Sequence, residues 1–140
     1  MDRKVLGGFE LVSIPDLGLQ NVVAKVDTGA HSGAIHCTDI TILTDDLGET
    51  LQFVPNALKG NVYQTRSFTR RIVTSATGHS VKRYLIDTKI VVQGVEYDVT
   101  IGISDRSDLT YPVLIGRRFL LEQNMLVDVA KNTQIDPEGA

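Results

Sequence analysis

Short runs in which apolar and β-branched residues alternate with polar ones dominate this chain, and they leave little room for a helical core. The runs are "FELVSI" (9–14), "NVVAKV" (21–26), "ITIL" (40–43), "RRIVTS" (70–75), "VKRYLIDTKIVVQ" (81–93) and "VEYDVTIGI" (95–103). A period of two puts every second side chain on one face of a strand. Breakers separate the runs: "PDLG" at 15–18, "DDLG" at 45–48, "TGH" at 77–79 and "QG" at 93–94. The last lies between two alternating runs and predicts a tight hairpin. One segment, "GRRFLLEQN" (116–124), has a helical pattern, with Phe119, Leu120 and Gln123 on a shared face. The stretch Thr44–Thr65, with Gly48, Pro55 and Gly60, reads as a long connection or insertion. The fold class is therefore all-β, a closed barrel that hides its strand edges, with one short helix near the C-terminus.

A chain of 140 residues, 42% of them hydrophobic, fits a single domain over residues 1–140 with an ordinary core. A net charge of −3 gives no overall reason to expect nucleic acid or an acidic membrane as partner. The start, "MDRKVLGGFE", has no long apolar stretch, and no later segment reaches the roughly 18 apolar residues that span a bilayer. These features predict a soluble cytoplasmic protein. The lone Cys37 forms no internal disulfide, in keeping with a reducing compartment.

An apolar run enters a glycine turn twice, at "AKVDTGA" and again at "YPVLIGR", with Gly29 and Gly116 87 residues apart. Two such crossings could pack around one centre. In the first, Asp27 ends a strand, and Gly29 two residues on lets backbone amides approach its carboxylate. If a symmetry mate brought a second copy alongside, two like charges could not both ionise comfortably, and the pair would share one proton. That provides an acid and a base together, enough to hydrolyse an amide with no covalent intermediate. Thr28 could tie the two turns together through its hydroxyl. Taken alone, Asp-Thr-Gly reads first as an ordinary turn, with Asp accepting local hydrogen bonds and Gly supplying positive φ. The strand before it, the small Ala30 after it and the apolar strand running into Gly116 favour the catalytic reading.

On these residues the chain resembles the retropepsin-like aspartic peptidases, and within them a bacterial group labelled ATP-dependent zinc protease. The resemblance is carried by "ELVSIPDLGLQNVVAKVDTGAHSGAIH" (10–36), "RRIVTSATGHSVKR" (70–83), "ISDRSDLTYPVLIGRRFL" (103–120) and "LVDVAK" (126–131). It implies a barrel of about six strands, one Asp-Thr-Gly per chain and a site completed by a homodimer. Asp27, Thr28 and Gly29 are implied as the catalytic turn, and Ile115 with Gly116 as the crossing that supports it. The hairpin from Thr74 to Ser80 lies where a flap would cover bound peptide. Ala30, Thr74, Ser75, Ala76, Arg83 and Arg117 are the expected substrate contacts. Retroviral members carry an Asp after Asp-Thr-Gly-Ala, which pairs with the Arg after the second glycine; here that place is His31. Arg117 is then expected to meet Asp128, another carboxylate or the substrate.

The label's zinc and ATP find no matching motif. There is no His-Glu-x-x-His and no phosphate-binding loop, and His31, His36 and Cys37 would not share one face of a strand. No cofactor and no metal are expected. From Lys59 to Lys89, seven basic residues face one acid, Asp87, so this stretch carries +6 and the remainder −9. Such asymmetry suits an acidic peptide, and by resemblance a glutamate-rich one, since this group accompanies enzymes that add glutamate to proteins. The same residues also suit solvent-facing strand edges. The leading expectation is a homodimeric aspartic endopeptidase acting on acidic peptides. The competing one is a non-catalytic module on the same barrel that only captures them. A metal-dependent hydrolase and a serine nucleophile among Ser32, Ser75 and Ser80 rank below both.

Overall fold

The computed structural model describes residues 3–56, 61–74, 76–105 and 111–136. Eleven strands run in chain order among them: β1 (Val5–Gly7), β2 (Phe9–Ile14), β3 (Leu19–Val26), β4 (Ala34–Asp45), β5 (Gly48–Pro55), β6 (Tyr63–Thr65), β7 (Phe68–Thr74), β8 (Ser80–Val92), β9 (Val95–Ser104), β10 (Val113–Ile115) and β11 (Leu126–Asp128). Among the described residues there is one α-helix, α1, which spans Arg117–Glu122. Among the described residues no helix is long and apolar enough to cross a membrane.

Alternation becomes closure. β10 pairs with β3, β3 with β2, β2 with β8, β8 with β9, β9 with β4, and β4 returns to β10. Six strands thus form a closed barrel, and the ring leaves none of their edges without a neighbour. The period of two decides what faces inward. On β2, Val12 and Ile14 are buried while Leu11 is 47% exposed; on β8, Ile90 and Val92 are buried beside exposed Asp87 and Lys89. Val99, Ile101 and Ile103 of β9 complete that wall. Slipping any of these strands by one residue would turn its apolar set outward, so burial fixes the register. The expected hairpin at "QG" is present: Val92 pairs with Val95, and Gln93 and Gly94 have φ of 51° and 77°. Two positive φ values make a type I′ turn, whose twist matches that of the strands it joins.

Thr44–Thr65 differs from its reading as a connection. It contains β5 and β6, which extend the barrel from β4 as a three-stranded arm. Leu51 and Phe53 are completely buried in the core, and Phe53 packs on Tyr63 with ring centroids 5.2 Å apart. The alternation of "LQF" is short and runs into Pro55, which masks it as a strand signal.

β1 and β11, too short to stand out in the sequence, form a separate parallel pair. Glu10, only 4% exposed, fastens this pair to the barrel. Its Oε2 accepts from the Gly7 amide at 2.7 Å, from Asn132 Nδ2 at 2.8 Å and from Gln93 Nε2 at 3.4 Å. A buried carboxylate with several donors is satisfied; removing it strands those donors. Glu10→Ala is expected to lower unfolding stability by about 3 kcal/mol in urea titrations and to speed amide exchange in β1 and β11 first.

Candidate active site

The Asp27 turn is fixed by its backbone before its side chain acts. β3 delivers Asp27 to the barrel rim, where its amide donates to the Ile115 carbonyl at 2.9 Å. β10 runs parallel to β3 there, with Ile115 opposite Val26. Past Gly116 the chain turns back against the first loop: the Arg117 amide donates to the Ala30 carbonyl at 2.8 Å and the Arg118 amide to that of His31 at 2.9 Å. The two crossings predicted from "AKVDTGA" and "YPVLIGR" are thus hydrogen-bonded to each other. Glycine is required where they touch. A Cβ on Gly116 would lie 2.4 Å from the Gly33 nitrogen and 2.6 Å from the His31 oxygen. Gly33, at φ +73°, would place a Cβ 2.4 Å from the Leu114 oxygen. No other residue allows two backbones to approach so closely.

Within this frame the half-buried Asp27 accepts the Gly29 amide on Oδ1 at 2.9 Å. Thr28 and Gly29 are exposed, and Ala30 is half-buried. Arg117 does not meet a carboxylate among the described residues. Its Nη1 donates to the Gly29 carbonyl at 2.9 Å, while Asp128 accepts the Ala130 amide instead. The guanidinium therefore grips the Asp27 turn from the far crossing, where Asp128, another carboxylate or the substrate was expected to meet it.

The predicted substrate contacts fall on two sides of the turn. Ala30 and Arg83 line one cavity of about 320 Å³, together with Arg71, Ser32, Ser104 and Leu85. Thr28 and Arg117 line another, of about 400 Å³, with Leu120, Leu121 and Leu126. The β7–β8 hairpin pairs Thr74 with Ser80, and Ala76 is exposed in its turn, where Gly78 has φ +86°. Ser75 lies outside the described residues. Arg71 was not singled out in the sequence, although a hairpin centred on Thr77 pairs it with Arg83 and makes it findable from register alone. Ser104 carried no such signal.

His31, His36 and Cys37 do not fit a zinc centre. Cys37 is completely buried in the core, away from any open position a metal could enter, and burial pushes its thiol up to about 12. His31 sits in the loop before β4, and His36 Nδ1 lies 3.9 Å from the Asp105 carboxylate.

Two outcomes are expected. Gly116→Ala should cost about 3 kcal/mol in urea unfolding, because backbone rather than a movable side chain blocks the new methyl. The Cys37 thiol, whose folded value is raised, favours the folded state fully below its ordinary range and progressively less as pH rises toward 12. In the native protein near pH 8 it should resist thiol reagents and react once the chain is unfolded.

Comparison with known proteins agrees with this geometry. Two sequence relatives are each named "Probable alpha-L-glutamate ligase". The one from Desulfotalea psychrophila is 26% identical over 91% of this chain and 28% of its own length. That from Shewanella pealeana is 25% identical over 99% of this chain and 31% of its own length. The chain thus spans less than a third of these relatives. A crystal structure of a Legionella pneumophila protein of unknown function (DUF785) superposes with a TM-score of 0.70 at 26% identity, covering 92% of this chain and 95% of that one. Residues 5–138 match the family described as "RimB-like: Retropepsin-like aspartic endopeptidase RimB". With that match spanning nearly the whole chain, and with an Asp-Thr-Gly turn locked to a second glycine crossing on a six-stranded barrel, the protein belongs to the RimB-like retropepsin-like family.

Proposed function

We propose that this chain is an aspartic endopeptidase that works as a homodimer and cleaves acidic, glutamate-rich peptides. The observation that supports it most strongly is the doubly anchored Asp27 turn, held by the Ile115 carbonyl on one side and Arg117 on the other. Two such turns meeting across a two-fold axis would bring two Asp27 carboxyls together with one proton between them. The ionised carboxylate takes a proton from water as its oxygen attacks the amide carbon. The protonated carboxyl gives its proton to the carbonyl oxygen. Collapse of the tetrahedral intermediate then returns a proton to the departing amine. The β7–β8 hairpin would close over the peptide and exclude water.

The surface around Thr28 supports pairing. Leu121 is 76% exposed and Leu126 46%, and both line the depression that holds Thr28 and Arg117. Exposed leucines beside a turn that needs a mate suit coverage by a second copy. The matched relatives supply the reason for glutamate: they are named as glutamate ligases, and chains of added glutamate are amide-linked and acidic. That same kinship favours a second reading, a non-catalytic module that holds such chains for another enzyme.

Hydrolysis separates the two. Asp27→Asn should lower cleavage of a glutamate-rich peptide on the order of 10³-fold while leaving thermal unfolding nearly unchanged. Wild-type protein that binds the peptide and never cleaves it supports the module instead. Leu121→Asp should halve the mass in sedimentation and remove hydrolysis with it; unchanged mass and rate contradict the assigned interface.

A further inference from the structure

The cavity next to the Asp27 turn contains an arrangement that general basicity does not explain. Arg71 of β7 stands directly opposite Arg83 of β8. Like charges in directly opposed cross-strand positions oppose sheet formation. Three basic side chains around these strands are neutralised: Arg66 by Asp45 at 3.1 Å, Arg70 by Glu49 at 3.1 Å, and Lys89 by Asp98. Among the described residues, Arg71 and Arg83 have no carboxylate within ion-pair distance. Both line the 320 Å³ cavity, and none of its lining residues is acidic. Ser104, in the same lining, has a buried Oγ with no hydrogen-bond partner. A buried hydroxyl left unpaired is unfavourable and calls for an explanation. Leu85, Ile103 and Leu114, all nearly buried, supply an apolar wall.

Two unneutralised guanidinium groups, an unpaired hydroxyl and an aliphatic wall together describe what is missing. A carboxylate would accept bidentate hydrogen bonds from arginine, accept a further one from the hydroxyl, and cancel the cross-strand repulsion. Methylene groups behind it would lie against the leucines and isoleucine. We propose that this cavity is a specificity subsite for the side-chain carboxylate of a glutamyl residue in the bound peptide, with Arg71, Arg83 and Ser104 as its ligands. The assignment rests on the peptide-binding reading above and adds to it the residues that choose the side chain. The arginines flank the turn rather than belong to it, so they select the substrate without taking part in proton transfer.

Calorimetric titration of the full chain carrying Asp27→Asn, which keeps peptide intact, reads the subsite directly. The probes are hexaglutamate, hexaglutamine and inorganic phosphate. Hexaglutamate should bind at least about tenfold more tightly than hexaglutamine. Arg71→Met and Arg83→Met should each weaken hexaglutamate about tenfold and leave hexaglutamine unaffected, and Ser104→Ala should weaken it about threefold. Loss of one guanidinium should leave the thermal midpoint unchanged or raised, since a repulsion disappears. Equal affinity for the two peptides, arginine variants without effect, or phosphate binding as tightly as hexaglutamate would each overturn the assignment. Hydrolysis by the unmodified chain fails or succeeds separately. Arginine-dependent binding of hexaglutamate without any cleavage upholds the subsite and removes the peptidase. Equal cleavage of acidic and neutral peptides does the reverse.

Discussion

Everything near the candidate site depends on a backbone-to-backbone contact between two loops that are far apart in sequence. Gly33 and Gly116 allow the first and second crossings to touch, and amides of Asp27, Arg117 and Arg118 then lock them with hydrogen bonds to carbonyls of the opposite crossing. These bonds are made at the barrel rim, between β3 and β10, where the ring of six strands has just closed. The carboxylate of Asp27 is therefore placed by the whole barrel, through main-chain bonds that do not depend on rotamer choice. Arg117 adds a side-chain grip on Gly29 from the far loop. A group fixed in this way has little freedom left to lose, which is what the proton transfer proposed for it would require.

The electrostatic layout follows the same division. Two basic groups of the +6 segment, Arg66 and Arg70, brace the arm formed by β4, β5 and β6 against β7 and the turn before it, through Asp45 and Glu49. These exposed pairs each contribute modestly. Asp45 is held below the usual carboxylate range, first by the Leu47 amide and then by Arg66, so this brace is intact at neutral pH and weakens as acid protonates the carboxylate. Arg71 and Arg83 stand apart from it, facing the cavity beside the turn. Charge that looks uniform in the sequence is thus divided between structural bracing and a concave surface of one sign.

How much of this could be read beforehand follows from the range of each interaction. Strands β2, β3, β8 and β9 announced themselves because burial on one face imposes a period of two, and the type I′ turn because two residues between such runs leave few alternatives. The paired crossings were visible as a repeated apolar run into glycine. The eight-residue β5 strand was hidden because only its "LQF" stretch alternates before Pro55, and β1 and β11 by having three residues each. The partner of Arg117 was invisible for a different reason. A main-chain carbonyl carries no sequence signature, so a reading that looked for a carboxylate could not find it. The unpaired Ser104 hydroxyl emerges only when β9, β4 and the hairpin are assembled around one cavity.

Subunit mixing tests the central claim most directly, because it asks whether one reaction needs a carboxyl from each of two chains. Wild-type protein and the Asp27→Asn variant are exchanged to equilibrium in equal amounts, and hydrolysis per total protein is compared with that of wild type alone. If mixed dimers are inactive, random pairing leaves about one quarter of the activity. About one half, falling in proportion to the variant added, would mean that each chain works independently and would contradict the shared-proton account.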